Sequence, residues 1–283
     1  MLSQFDYIKP LVLDDALTFL AEHEQTYILA GGTDLIIMLN KNMIDAKYIL
    51  DIKYIPDLDV FKFTEGEGLE IGANVTVNEL AECDVVQTKY KALCEAASVL
   101  ATEQLRNRAT LVGNICNASP GADLPPSLLI YDATVKIASV KGERIVPLRE
   151  FFTGVKKTQL NKDEIVVSVF LPDPGKKDDS IYLRQTRLRG HDLSTVGVAC
   201  RLKGDGKVAI AINAVAITPL LLSDLSNQLN AKGLSEESIL WASEEIKKHI
   251  KPITDVRASK EYRLHMAGIL LKRCLAQLTG KEV

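Results

Sequence analysis

The stretch YILAGGTDLIIMLN, residues 27–40, constrains this chain more than any other. An apolar run that ends in two adjacent glycines, and resumes after Thr33 and Asp34, reads as a short buried strand, a turn and the start of a helix. Glycines at such a corner let the backbone turn left-handed, or let another group approach more closely than a side chain permits. The corner also presents unpaired amide N–H groups at the positive end of a helix dipole, which suits a phosphate or pyrophosphate. Thr33 adds a hydroxyl donor, and Asp34 is placed to cap the helix. Taken alone, a Gly-Gly pair after a strand is more often an ordinary tight turn.

A second stretch changes that balance. NRATLVGNICNASPGADLPP, residues 107–126, has almost no helix or strand periodicity, yet it contains Thr110, Gly113, Asn114, Asn117, Ser119, Gly121 and Asp123. Small and hydrogen-bonding residues in such density predict a long irregular loop wrapped around a polar ligand. A loop of that length inside a compact domain is uncommon unless it is functional or disordered, and its apolar flanks argue against disorder.

The 283 residues exceed the usual size of one core, and the order of elements predicts a mixed α+β chain in three blocks. Residues 1–54 read helix, strand, turn, helix, strand, with Asp14 or Asp15 capping the first helix and strands at TYILA and YILDI. Residues 55–172 carry a strand at GLEIGA, a capping box from Thr76 to Glu79, a helix near residues 90–101, and strands at ATVKIAS and EIVVSVFLP. PDPGKKDD reads as a linker into a block over residues 173–283, with strands at STVGVACRL and VAIAINAVAI and helices starting at Ser235 and near Ser259. Tyr262, Met266, Ile269 and Leu270 form an apolar stripe on the last helix, read as internal core ahead of partner surface.

Several function classes drop out. The net charge of -3 comes with interspersed signs, so no electrostatic footprint for nucleic acid or an anionic membrane is visible. No apolar run approaches membrane-spanning length, and MLSQFDYIKP lacks the regions of a signal peptide; the expectation is a cytoplasmic protein with no membrane insertion. Cys83, Cys94, Cys116, Cys200 and Cys274 are widely spaced with no C-x-x-C, which predicts no structural zinc and no iron–sulfur cluster. His23, His191, His249 and His265 are equally scattered and read as surface or capping side chains. There is no G-x-S-x-G elbow and no Walker loop, and GEGLEIG reads as a turn and strand because its glycines do not fit a dinucleotide fingerprint. Catalytic residues and metal ligands are therefore both expected to be none.

AGGTDL followed by RNRATLVGNICNASPGADLPP resembles the FAD-binding (medium) subunit of the molybdenum hydroxylase family, of the xanthine, carbon monoxide and nicotinate dehydrogenase type. PLREFFTGVKKTQLNKDEI and PITDVRASKEYRLHMAGILLKR extend the likeness over nearly the whole chain. The resemblance implies a two-part FAD-binding domain of the PCMH/VAO-like fold over 1–172, with subdomains of about 1–54 and 55–172. A smaller α+β C-terminal domain over 173–283 would follow; the linker before it and its basic, amphipathic last helix lead to the expectation that it serves assembly and covers the flavin edge.

It implies further that Leu29, Ala30, Gly31, Gly32, Thr33, Asp34 and Leu35 grip the FAD pyrophosphate from one side. Thr110, Val112, Gly113 and Asn114 would grip it from the other, largely through backbone N–H groups. Asp123 falls where the family holds the adenosine part, Leu100 and Val166 at apolar contacts to the cofactor, and Arg184 at a basic residue near the flavin. Many relatives have Gly at the position of Val112, where a positive φ would be costly for valine, and lysine at the position of Arg184. Neither glycine motif holds a histidine to tether the flavin, so the FAD is expected to be non-covalent. Cys116 reads as a small buried hydrophobe.

A flavin carries its own redox chemistry, which fits the absence of a triad or metal cluster. By the resemblance, a molybdenum-cofactor subunit and a subunit with two-iron two-sulfur clusters are partners in a hetero-oligomer, and NAD or another electron acceptor takes the electrons. The alternatives are a stand-alone flavin oxidoreductase of the same fold and a non-enzymatic nucleotide-binding module.

Overall fold

The computed structural model describes residues 4–188, 190 and 192–281; His191 lies outside the described residues. The chain opens with a three-stranded parallel sheet in the order Asp6–Ile8, Tyr48–Asp51, Thr26–Leu29. Parallel neighbours require crossovers, and the helices Leu13–Glu22 and Leu35–Asn40 supply them. The first helix begins after Val12 with no side-chain cap, so Asp14 and Asp15 lie in its first turn, where they favour the helix dipole without capping it. Leu35, Leu39, Ala46 and Ile49 close a small core beneath the glycine corner.

A five-stranded antiparallel sheet follows, in the order Phe61–Thr64, Gly68–Gly72, Ile165–Pro172, Thr134–Ser139, Gly142–Pro147. GEGLEIG forms the turn and second strand of a hairpin, as its composition predicts. Thr76 and Glu79 make the predicted capping box, and the helix Lys91–Val99 lies within the predicted span. The expectation of an irregular loop over 107–126 is corrected: the stretch folds as the helices Leu111–Asn117 and Leu124–Ile130 joined by a short turn. Thr110 starts the first by accepting the Gly113 amide at 2.9 Å. Pro125 and Pro126 sit in the first turn of the second, where a missing N–H costs nothing.

PDPGKKDD is tied down at its start: Asp173 accepts the amides of Gly66 and Gly175 and the Lys89 ammonium. Beyond it lies a four-stranded antiparallel sheet in the order Asp179–Gln185, Val196–Leu202, Val208–Asn213, Leu220–Leu221. Its two faces differ in side-chain size. Ile181, Val198, Cys200, Ile210 and Ile212 face the chain's last helices in one core. Tyr182, Ala199 and Ala211, the alternate residues, join the large core of the first 172 residues instead. Ala199 and Ala211 on that face let the two middle strands pack close against the helix Leu124–Ile130, so the C-terminal part seats directly on the second motif. The helix Ser223–Lys232 is additional to the predicted elements, and Glu236–Glu245 and Lys260–Thr279 start at Ser235 and Ser259 as predicted. On the last helix Met266 and Leu270 are buried in core, while Tyr262 is exposed.

Candidate FAD site

Gly31 and Gly32 are glycines for different reasons. A Cβ on Gly31 would stand 2.0 Å from the Arg108 carbonyl oxygen and 2.9 Å from Ala109 Cα, so what approaches Gly31 is the backbone of the second motif. Gly32 has φ +78°, a left-handed conformation, and a Cβ there would also meet Leu29 Cδ1 at 2.8 Å. Gly31 thus seats the first turn directly against the backbone of Arg108 and Ala109. Two stretches far apart in sequence become one surface.

That surface offers amides. Among the described residues, the N–H groups of Gly31, Gly32, Thr33, Asp34 and Val112 donate to no protein acceptor, whereas Ile36 N–H returns to the Gly32 carbonyl at 3.0 Å. Asp34 sits at the N-cap of Leu35–Asn40, but its carboxylate makes no capping bond, contrary to the expected cap. The helix has six residues, so its dipole is small and the free amides carry the attraction for an anion. Thr110 is buried, bridges Thr76 across two segments and caps Leu111–Asn117. Val112 lies in that helix with no positive φ, so the cost expected for valine there does not arise. Gly113 spends its amide on Thr110, and Asn114 presents a buried Oδ1 with no protein partner. Left-handed glycine and free amides fit the anionic pyrophosphate of FAD, whereas Asn114 Oδ1 is an acceptor and would take a donor on the ligand, such as a ribose hydroxyl.

The other predicted residues fall into two groups. Asp123 and Arg184 meet directly: Arg184 Nη1 donates to Asp123 Oδ2 at 2.9 Å, with both side chains largely buried. Tyr182 donates to Asp123 Oδ1 at 2.6 Å, and the Ser194 hydroxyl donates to the same oxygen. Burial pushes the Asp123 carboxyl upward, opposed by the Arg184 charge and the two hydroxyls. Burial and the neighbouring Asp123 raise the Tyr182 phenol well above its ordinary value, which keeps it a neutral donor. Leu100 and Val166 are carried on separate elements. Leu100 ends the helix Lys91–Val99, its carbonyl held by Arg106 Nη1 at 3.1 Å, and Val166 lies at a bulge in the strand Ile165–Pro172 against which Leu111–Asn117 packs.

Arg108, Tyr182, Ser194 and Asn213 were not legible as site residues. Gly197, inside a strand, is the one available signal, since an isolated strand glycine marks a close approach. Cys116 is partly buried and its thiol is pushed up to about 12 by burial, which leaves it unreactive. His23 stacks on Phe19 with ring centroids 3.9 Å apart. Among the described residues, no group of three or more His, Cys, Asp or Glu is arranged to hold a metal ion, and no helix is long and apolar enough to cross a membrane.

A family profile described as the FAD binding domain in molybdopterin dehydrogenase matches residues 3–174, and one described as the CO dehydrogenase flavoprotein C-terminal domain matches residues 181–278. The xanthine dehydrogenase FAD-binding subunit of Escherichia coli O157:H7 is 34% identical over 276 residues, covering 96% of this chain and 94% of the relative. The carbon monoxide dehydrogenase medium chain of Hydrogenophaga pseudoflava is 30% identical over 277 residues, covering 96% of each. Among solved structures, carbon monoxide dehydrogenase from Hydrogenophaga pseudoflava superposes with a TM-score of 0.93 at 29% identity, covering 99% of each chain. Quinoline 2-oxidoreductase from Pseudomonas putida 86 superposes at 0.91 and 26% identity, again covering 99% of each. The α+β fold, the paired glycine motifs and both matched domains make this chain a member of the FAD-binding subunit family of the molybdenum hydroxylases, oxidoreductases whose flavoprotein part it represents.

Proposed function

We propose that the chain is the electron-transfer subunit of a xanthine dehydrogenase-like molybdenum hydroxylase in the cytoplasm. It holds FAD non-covalently over residues 1–172 and carries residues 173–283 as a covering and assembly domain. The observation that carries this reading is the backbone contact of Gly31 with Arg108 and Ala109, which brings the two motifs together, each with amides that donate to no protein acceptor. FAD, when bound, supplies the redox chemistry, including the change between single electrons and pairs. The protein's part is to bind and orient it. Amides of Gly31, Gly32, Thr33, Asp34 and Val112 take the pyrophosphate, with Leu29, Ala30, Leu35, Thr110, Gly113 and Asn114 shaping that cradle. Leu100 and Val166 give apolar contacts, Asp123 anchors the side of the adenosine half, and Arg184 brings positive charge toward the flavin.

The partners in this reading are a subunit with two-iron two-sulfur clusters, from which electrons arrive, and a molybdenum-cofactor subunit where substrate is oxidised. NAD or another carrier is the acceptor. Similarity to a xanthine dehydrogenase subunit supports the choice within the family, and five free cysteines suit a reducing compartment. Stopped-flow mixing of the flavin-loaded chain with NADH tests the acceptor: bleaching of the flavin supports NAD, and a silent trace directs the assignment to a quinone, ferredoxin or other carrier. Anaerobic incubation of the isolated chain with purines or aldehydes tests the division of labour. No reduction is expected, and reduction of the flavin would mean a stand-alone enzyme.

A further inference from the structure

Arg184, Gly197 and Asn213 stand directly opposite one another on three adjacent strands, and Tyr182 lies two residues from Arg184 on the same face. A Cβ on Gly197 would fall 2.2 Å from the Tyr182 hydroxyl oxygen and 2.4 Å from Asn213 Oδ1. The missing side chain is therefore the space through which the phenol reaches Asp123. Asn213 extends the same seam, its Nδ2 donating to the Ala122 carbonyl at 2.6 Å, and the Ala214 amide donates to Pro120 at 2.7 Å. Arg184 completes its inward fold on the carbonyls of Asp192 and Gly190, at 3.2 and 3.4 Å. The Asp123 carboxylate thus stands between two hydroxyls on one oxygen and a guanidinium on the other.

We propose that Tyr182 is a positioning residue for the flavin site: its phenol, admitted by Gly197 and seconded by Ser194, fixes the Asp123 carboxylate in the orientation that holds Arg184. The proposal rests on the FAD site described above. Without the phenol the Asp123 carboxylate can rotate and Arg184 loses its fixed position. A phenylalanine fills the same buried volume, so the change is in position and not in packing.

The test is a double-mutant cycle in FAD affinity on the full chain, from apoprotein titrated with FAD and followed by flavin fluorescence. Tyr182→Phe is expected to weaken binding about tenfold, equivalent to ~1.4 kcal/mol, as suits loss of one hydrogen bond to a charged group. In an Arg184→Met background the same substitution is expected to have little further effect, because its action passes through Arg184. Ser194→Ala, which removes the other hydroxyl with little change of volume, is expected to behave alike and serves if Tyr182→Phe misfolds. An equal loss of affinity in both backgrounds, or unchanged affinity in both Tyr182→Phe and Ser194→Ala, overturns the proposal while leaving the FAD site intact. Failure of the unmodified chain to take up one FAD overturns the site itself, and the proposal with it.

Discussion

Gly31 touches the carbonyl of Arg108 so closely that hydrogen is the one substituent its Cα admits on that side; a Cβ would lie 2.0 Å from that oxygen. Backbone meets backbone there, so the clash has no flexible side chain to yield. Gly32 is different, because its Cβ would meet the end of the Leu29 side chain and its constraint is a left-handed φ.

The two glycines should therefore respond differently to alanine. Gly32→Ala is expected to cost about 1–2 kcal/mol, the penalty for an L-residue in the left-handed region. Gly31→Ala should cost more, ~3 kcal/mol or above, because the two motifs must separate. Urea unfolding of both variants checks the order, and equal losses would mean that the motifs are not in contact.

Cutting the Asp123–Arg184 pair from one side leaves a largely buried charge without its partner. Arg184→Met is expected to destabilise the fold by about 3–5 kcal/mol, the usual cost of breaking a buried pair by removing one member. Thermal unfolding measures it. A loss under ~1 kcal/mol would show that the pair is solvated and is no anchor between the second motif and the C-terminal sheet.

Stability in acid has a specific source at the start of the strand that carries Val166. Arg144 donates to both oxygens of Glu164, at 2.8 Å each, and holds its carboxyl at about 2, below its ordinary 4.5. A depressed folded-state value means the contribution is complete above pH 4.5 and is lost as pH falls through about 2. Urea unfolding across that window should show a shallower pH slope in Arg144→Met than in the unmodified chain. Parallel slopes would assign the acid sensitivity elsewhere.

Much of this architecture could be read from residue patterns. The Thr76–Glu79 box, the caps at Ser235 and Ser259 and the apolar runs of the sheets are local signals that the fold obeys. The helices Leu111–Asn117 and Leu124–Ile130 were hidden because Gly113, Asn114, Pro125 and Pro126 have poor helix propensity. Thr110 and the first-turn prolines nonetheless signal helix starts. At the site, Gly31 and Gly32 announced a close approach, but its partner, Arg108, is set by tertiary packing alone. The hydroxyls of Tyr182 and Ser194 on Asp123 depend on how the last sheet seats against the second motif, and no local pattern encodes that.

Hydrogen exchange on the isolated chain, followed by mass spectrometry with and without FAD, probes the cradle at the atoms that form it. If the amides of Gly31 to Asp34 and Val112 hold the pyrophosphate, FAD should slow exchange in peptides covering residues 27–40 and 107–117 together. Stoichiometric FAD uptake with no added protection in either segment would contradict that placement and move the cofactor to another surface of the chain.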